Sequence, residues 1–385
     1  MSPSPIAETL VRWQRAHGRH DLPWQRERTP YRVWISEIML QQTQVGTVIG
    51  YYERFMQRFP TVGTLAAAPL DEVLHLWSGL GYYSRARNLQ RAAQRIVAEH
   101  DGRVPEEPAA LERLPGIGRS TAAAIIALAL DRRATILDGN VRRVLARYFG
   151  IDGAPQARAT QAALWQHAEA CTPARDVAAY TQAIMDFGAT LCTRSRPLCM
   201  HCPLQADCIA HRTGRVAQLP SPRPRALRPT RRVVMLFAVR ADGSVWLRRR
   251  PPRGVWAQLW APPEFAGIEA AQAFCASSTA PPGAALPLVR HAFTHFDLEI
   301  TPVRVAWSAV ASPAWPASQA PGGRPPETGA LVPDAGALVH APDAGVEEPE
   351  ALWYNARQPP PIGIPAPIAA LLATLSAPPP LPADD

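Results

Sequence analysis

The sequence predicts a multidomain protein, with an all-α first half followed, across a basic proline-rich linker, by an α+β domain. From Ile6 to Tyr148 apolar residues recur at three- and four-residue spacing, as in Val33, Ile35, Ile38 and Met39, and no alternating strand pattern competes. The texture then changes to short β-rich runs at 233–239, 245–247 and 298–305. Charge marks the join: residues 1–211 carry a balance of +5, residues 212–253 one of +11 and residues 254–385 one of −8. Proline agrees, since only 13 of 42 precede residue 212 while Pro220, Pro222, Pro224 and Pro229 fall within ten residues. These features place the first domain at 1–211, the linker at 212–229 and the second domain at 230–376. An Ala/Pro/Gly-rich insertion falls near 313–345, and 377–385 form a disordered tail.

At 41.9 kDa and 47% hydrophobic residues the chain can supply a core to each domain. The longest apolar stretch, Thr121 to Leu130, is shorter than the roughly 20 residues that span a bilayer and reads as a buried helix. No membrane association is expected, and the absence of a targeting segment points to the cytoplasm, with the nucleoid as the bacterial site. A net charge of +8 with a basic middle segment suits a polyanion such as nucleic acid; a solvated linker is the alternative.

Four of the six cysteines, Cys192, Cys199, Cys202 and Cys208, cluster at intervals that suit thiolates gripping one centre, and spacing alone leaves zinc and a [4Fe-4S] cluster equally open. A disulfide framework fits poorly with a 385-residue chain lacking an apolar signal peptide. Leu114-Pro115-Gly116-Ile117-Gly118 joins two helical segments. Its glycines at 116 and 118 allow a turn that points amides outward at a helix start, where a phosphate is held without sequence being read. An ordinary helix-helix turn is the alternative.

The LPGIG loop, the LDGNV turn at 137–141 and the C-x6-C-x2-C-x5-C run resemble, in that order, the helix-hairpin-helix DNA glycosylases of the endonuclease III superfamily. Within it, SEIMLQQTQV at 36–45, GLGYYSRARNL at 79–89 and RHAFTHFDL at 290–298 resemble the MutY family, which removes adenine opposite 8-oxoguanine. The resemblance covers residues 6 to about 310. It implies a [4Fe-4S] cluster on the four cysteines, a Nudix-like lesion-recognition fold after the linker, and as partner a duplex with an A:8-oxoguanine or A:G mispair, met as a monomer.

Breaking an N-glycosidic bond requires a proton on the departing purine and an anion near the cationic sugar, work for two carboxylates. Glu37 lies in the apolar run Val33 to Leu40, where an unpaired carboxylate is costly and its protonated form favoured; a helix-surface glutamate is the ordinary alternative. The resemblance gives Glu37 the acid role and the handling of water, and gives Asp138, held near Asn140, stabilisation of the sugar cation or its adduct. Read alone, Asp138-Gly139-Asn140 is a turn. All 40 basic residues are arginine, so the Schiff-base lyase step of bifunctional relatives has no side-chain amine, and Ser120 stands where their lysine falls. A monofunctional enzyme that leaves an abasic site follows.

The adenine must leave the stack. The resemblance assigns Gln182 to reading it, Gln42 and Tyr82 to wedging into the duplex, Thr43 and Leu80 to the opposing 8-oxoguanine, and Phe293, Thr294 and His295 to lesion reading from the second domain. The paired glutamates that hold Mg²⁺ for Nudix hydrolysis are missing between 264 and 280, where only Glu264 and Glu269 occur, so the second domain is not expected to hydrolyse nucleotides. Trp256 and Trp260 read as core. Two alternatives stand beside this reading: a glycosylase for another damaged or mismatched base, and a non-catalytic iron-sulfur DNA-binding module.

Overall fold

The computed structural model describes residues 5–221, 227–278, 280, 283–307 and 350–375. It divides into two units, Met1–Ala226 and Leu227–Asp385. In the first, the helices are α1 (Pro5–His17), α2 (Pro23–Arg26), α3 (Pro30–Leu40), α4 (Val45–Arg58), α5 (Val62–Ala67), α6 (Leu70–Trp77) and α7 (Ser84–Glu99). Then follow α8 (Pro108–Glu112), α9 (Arg119–Leu130), α10 (Gly139–Tyr148), α11 (Arg158–Cys171), α12 (Val177–Thr190) and α13 (Ile209–Arg212).

Local chemistry sets the helix starts. Proline occupies the first turn of α2, α3 and α8, where its missing N–H is not needed. Thr29 caps α3 by accepting from Arg32 N, and Thr61 and Thr64 form a reciprocal capping box on α5. Trp34, Tyr52, Phe55, Phe59 and Trp77 are fully buried, with Phe55 meeting Phe59 and Trp77 edge-on. The α9 residues Ala122 to Leu128 are all buried, in keeping with the buried helix expected there. Its small side chains let α9 pack against both α3 and α12, and α12 also packs on α10. That arrangement brings the elements bearing Glu37, Gln182 and Asp138 together.

Residues 213–221, assigned to the linker from their arginine and proline content, pack on the helical unit instead. Leu219 is 2% exposed, and the buried Arg147 guanidinium donates to the carbonyls of Val216 and Leu219 at 3.1 and 2.9 Å. An apolar anchor and a buried donor outweigh local composition here.

The second unit is a mixed sheet with two helices. Its strands are β1 (Thr230–Val239), β2 (Val245–Arg249), β3 (Trp260–Ala261), β4 (Glu264–Phe265), β5 (Ala284–Ala285), β6 (Val289–Ala292), β7 (Asp297–Ala306) and β8 (Ala351–Tyr354), with α14 (Ile268–Ser277) and α15 (Ala366–Leu375). The order runs β3-β2-β1-β7-β5, with β4 on β1, β6 on β7 and β8 on β2. β1 and β7 run parallel from Thr230↔Asp297 to Val239↔Ala306, and the other pairs are antiparallel. Leu236, Trp246, Val303 and Val305 of the sheet enclose Phe274 and Cys275 of α14. Trp256 and Trp260 are buried, so both are core. The insertion at 313–345 and the tail at 377–385 lie outside the described residues, as do 222–226 of the linker. No helix among the described residues is long and apolar enough to cross a membrane.

Candidate active site

One cavity of about 1290 Å³ in the helical unit is lined by Glu37, Asp138, Asn140 and Gln182, and also by Gln42, Thr43 and Ser120. Glu37 reaches it from α3, whose surrounding residues Val33 to Ser36, Ile38 and Met39 are buried. Burial first, and the Asp138 charge second, push the Glu37 carboxyl up to about 8. It is therefore mostly protonated at neutral pH.

Asp138 is not in a free turn. It is the N-cap of α10, its carboxylate accepting from Val141 N at 2.7 Å. Burial raises the Asp138 carboxyl above the ordinary aspartate range, and the Val141 and Asn140 amides with the charges of Arg143 and Arg142 offset only part of that rise. The α10 dipole favours the anion as well. Two carboxyls in one pocket thus sit in unlike surroundings, and the proton belongs on Glu37.

Ser120 Oγ accepts from Leu137 N at 3.0 Å, tying the residue before Asp138 to the first turn of α9. Asn140 Oδ1 accepts from Arg143 Nη2 at 2.8 Å, while Arg143 also donates to the carbonyls of Gly188 and Cys192. The helices are close there, since a Cβ on Gly188 would lie 2.7 Å from Asn140 Cβ. Gln182 is 5% exposed, and its Nε2 donates to the fully buried Asp186, which also takes three donors from Arg19. One face of the Gln182 amide is committed to that buried ion pair. Sequence reasoning missed Arg19, Arg143 and Asp186; the one available signal was the i, i+3 spacing of Asn140 and Arg143 on a single helix.

The hairpin glycines differ. Gly116 has a φ of +80°, and a Cβ there would press on Asn88 Cβ at 2.9 Å, whereas Gly118, the N-cap of α9, has open space around its Cα. A smaller cavity of about 250 Å³ is lined by Gln42, Tyr82, Arg85 and Gly116. Tyr82 is 45% exposed, whereas Leu80 is 5% exposed, with its amide on Trp77 O and its carbonyl on Arg85 Nη2. In the second unit Phe293, Thr294 and His295 form the tip between β6 and β7, closed by Phe293 N donating to Phe296 O at 2.9 Å. Phe293 stacks on Phe296, while Thr294 and His295 are exposed.

Cys192, Cys199, Cys202 and Cys208 line one cavity of about 30 Å³ with Val144, Phe187 and Leu191. All four are free, while Cys171 and Cys275 are buried elsewhere. Arg147 Nη1 lies 3.4 Å from Cys192 Sγ. Burial raises the Cys199 and Cys208 thiols, and Cys202 to about 11. Among the described residues no three His, Cys, Asp or Glu side chains converge tightly enough to hold a single metal ion.

Residues 35–170 match the HhH-GPD superfamily of base excision DNA repair proteins, and residues 234–374 match the NUDIX domain. The chain is 33% identical to an adenine DNA glycosylase of Buchnera aphidicola over 95% of its own length and 96% of that protein's. It is 46% identical to the adenine DNA glycosylase of Rattus norvegicus over 55% of this chain and 43% of that one. Among solved structures a thermostable thymine-DNA glycosylase superposes with a TM-score of 0.50 at 30% identity, covering 54% of this chain and 95% of that one.

Gly188→Ala is expected to push Asn140 off Arg143, costing roughly 1–3 kcal/mol in thermal unfolding and slowing single-turnover excision about 10- to 100-fold. Glu37→Gln is expected to stabilise the fold by roughly 1–3 kcal/mol at pH 7 and not at all at pH 4, read from melts at both values. The sign follows from the raised folded pKa: between about 4.5 and 8 the unfolded chain ionises Glu37 while the folded chain resists.

Proposed function

The chain belongs to the adenine DNA glycosylase family, and from that premise we propose that its large cavity hydrolyses the N-glycosidic bond of adenine mispaired with 8-oxoguanine or guanine and leaves an abasic site. As a base excision repair glycosylase it binds DNA and acts on adenine; membership sets aside the non-catalytic module. One observation carries the mechanism: Glu37, whose carboxyl is pushed up by burial, and an amide-held Asp138 line the same pocket.

Glu37 donates its proton to the purine as the C–N bond lengthens, so the base leaves neutral. The sugar left behind is cationic, and the Asp138 carboxylate, fixed by its cap bond and countered by Arg143, stabilises it electrostatically. Glu37, now ionised, takes the proton from the attacking water. Gln182 offers its remaining amide valences to the adenine edge, with Asp186 and Arg19 holding its orientation. Asn140 acts through Arg143, and Ser120 through Leu137, to place Asp138. With no lysine in the chain, no side chain forms a Schiff base, and the enzyme is monofunctional.

Gly116 and Gly118 give the hairpin turn that holds a phosphate at the start of α9. Gln42 and Tyr82 wedge into the duplex. Thr43 and Leu80 meet the opposing 8-oxoguanine, with Phe293, Thr294 and His295 reading the lesion from the second unit. That unit does not hydrolyse nucleotides, a reading supported by Glu264 being held in an ion pair with Arg250 at 2.9 Å. The donor set of four free thiols around one largely apolar cavity fits a [4Fe-4S] cluster, held by Cys192, Cys199, Cys202 and Cys208. When bound, the cluster supplies a fixed anionic anchor for the loop that carries these residues. On this reading the protein acts as a monomer in the cytoplasm, and at the nucleoid in a bacterial cell.

A duplex with one adenine opposite 8-oxoguanine is expected to break at the adenine strand only after alkali. Breakage without alkali would contradict the monofunctional reading, and an intact strand in both arms would contradict adenine excision. Cys199→Ser is expected to lose bound iron and sulfide by chemical analysis and to weaken duplex binding about tenfold or more.

A further inference from the structure

We infer that Arg85 is the positioning residue that locks the two duplex-facing loops, 41–43 and 79–82, into one register and thereby sets discrimination for the lesion. This rests on the reading of those loops as the wedge and 8-oxoguanine contacts. Arg85 lies in the first turn of α7 and is 8% exposed. Its Nη1 lies 2.8 Å from the carbonyls of Ile38 and Met39 and 2.7 Å from that of Gln41. Its Nη2 lies 3.2 Å from Thr43 Oγ1, 3.3 Å from Leu80 O and 3.2 Å from Gly81 O. One guanidinium thus holds the last turn of the catalytic helix α3, the 41–43 loop and the 80–81 loop at once.

Each contact has a physical reason. Carbonyls at the end of a helix have no partner within it, and a cation is favoured at that end of the dipole. Thr43 and Leu80 belong to loops far apart in sequence, so nothing local correlates them. The planar fork does, because its donors are fixed relative to one another. The guanidinium carbon also stands 5.3 Å from the Trp77 ring centre and 5.6 Å from that of Tyr82, so the wedge aromatic rests on the same group. Gln42 and Tyr82 both carry positive φ, at 56° and 47°, a backbone state that persists only where the surroundings over-determine it. No carboxylate pairs with Arg85 among the described residues; carbonyl and hydroxyl dipoles carry its charge. Burial lowers the group to about 10, which leaves it cationic at neutral pH.

Arg85→Lys keeps the charge and loses the fork. The Thr43 and Leu80 amides, bonded to Leu40 O and Trp77 O, report the two loops by hydrogen exchange. In the variant both are expected to exchange faster together while the α9 amides of Ala122 to Leu128 stay protected. The affinity ratio of A:8-oxoguanine duplex to undamaged duplex is expected to fall about tenfold. Exchange that rises at one loop alone, or at neither, would overturn the lock. Loosening of both with an unchanged ratio would overturn the link to discrimination. A Tyr82→Ala arm separates the causes, because a ratio unmoved there shows that the wedge reading itself has failed. Should Arg85→Lys not fold, denaturant-dependent exchange of the wild-type chain decides: one shared opening free energy for Thr43 and Leu80 supports the lock, and two distinct ones overturn it.

Discussion

The cost of burying an ionised carboxyl is the constraint on which the site depends. Glu37 has an apolar helix around it and a second carboxyl facing it, so at neutral pH its stable form is the acid. Asp138 is also partly buried and its carboxyl also raised, but it stands at a helix N-terminus where amide donors and arginines offset part of that rise. The same fold thereby produces an acid and an anion from two similar side chains in one pocket. That division of labour is what a purine N-glycosidic bond requires.

Buried and half-buried arginines hold the surroundings in place, each in a different way. Arg19 neutralises Asp186 beneath Gln182, Arg143 spans α10 and α12 through Asn140 and Gly188, and Arg85 gathers carbonyls from two loops. Arg147 links the Cys192 thiol to the carbonyls of Thr193, Val216 and Leu219, so the cysteine loop and the segment after α13 share one buried donor. A guanidinium can satisfy several carbonyls at fixed angles where an ammonium cannot. A chain without lysine builds its interior from that property, and its lack of a reactive amine is the other face of the same composition.

The fold class was legible because periodicity is a global signal. Alanine and isoleucine along α9 announced a buried helix, and the three β-rich runs fell within β1, β2 and β7. Glu37 stood out as a carboxyl in an apolar run, but the residues alone allowed a helix-surface glutamate as well, and its role came from the family resemblance. Residues 213–221 were misplaced because composition reports solvation on average, whereas one Leu219 and one distant Arg147 fixed them. Asp138 read as a turn because a cap and a turn use the same residues, and only the helix that follows separates them. Apart from the i, i+3 pair of Asn140 and Arg143, the arginine tethers were not legible: Arg85 reaches residues some forty positions away, and Arg19 meets Asp186 across 167. Such contacts leave no local pattern.

The protonation state of Glu37 is the centre of this account, and difference infrared spectroscopy measures it directly. A pH titration of the wild-type chain, with Glu37→Gln subtracted, should show a protonated carboxyl band that disappears with a midpoint near pH 8. A midpoint near the ordinary glutamate value of about 4.3 would mean that Glu37 is an anion at neutral pH, and the acid role assigned to it would be wrong.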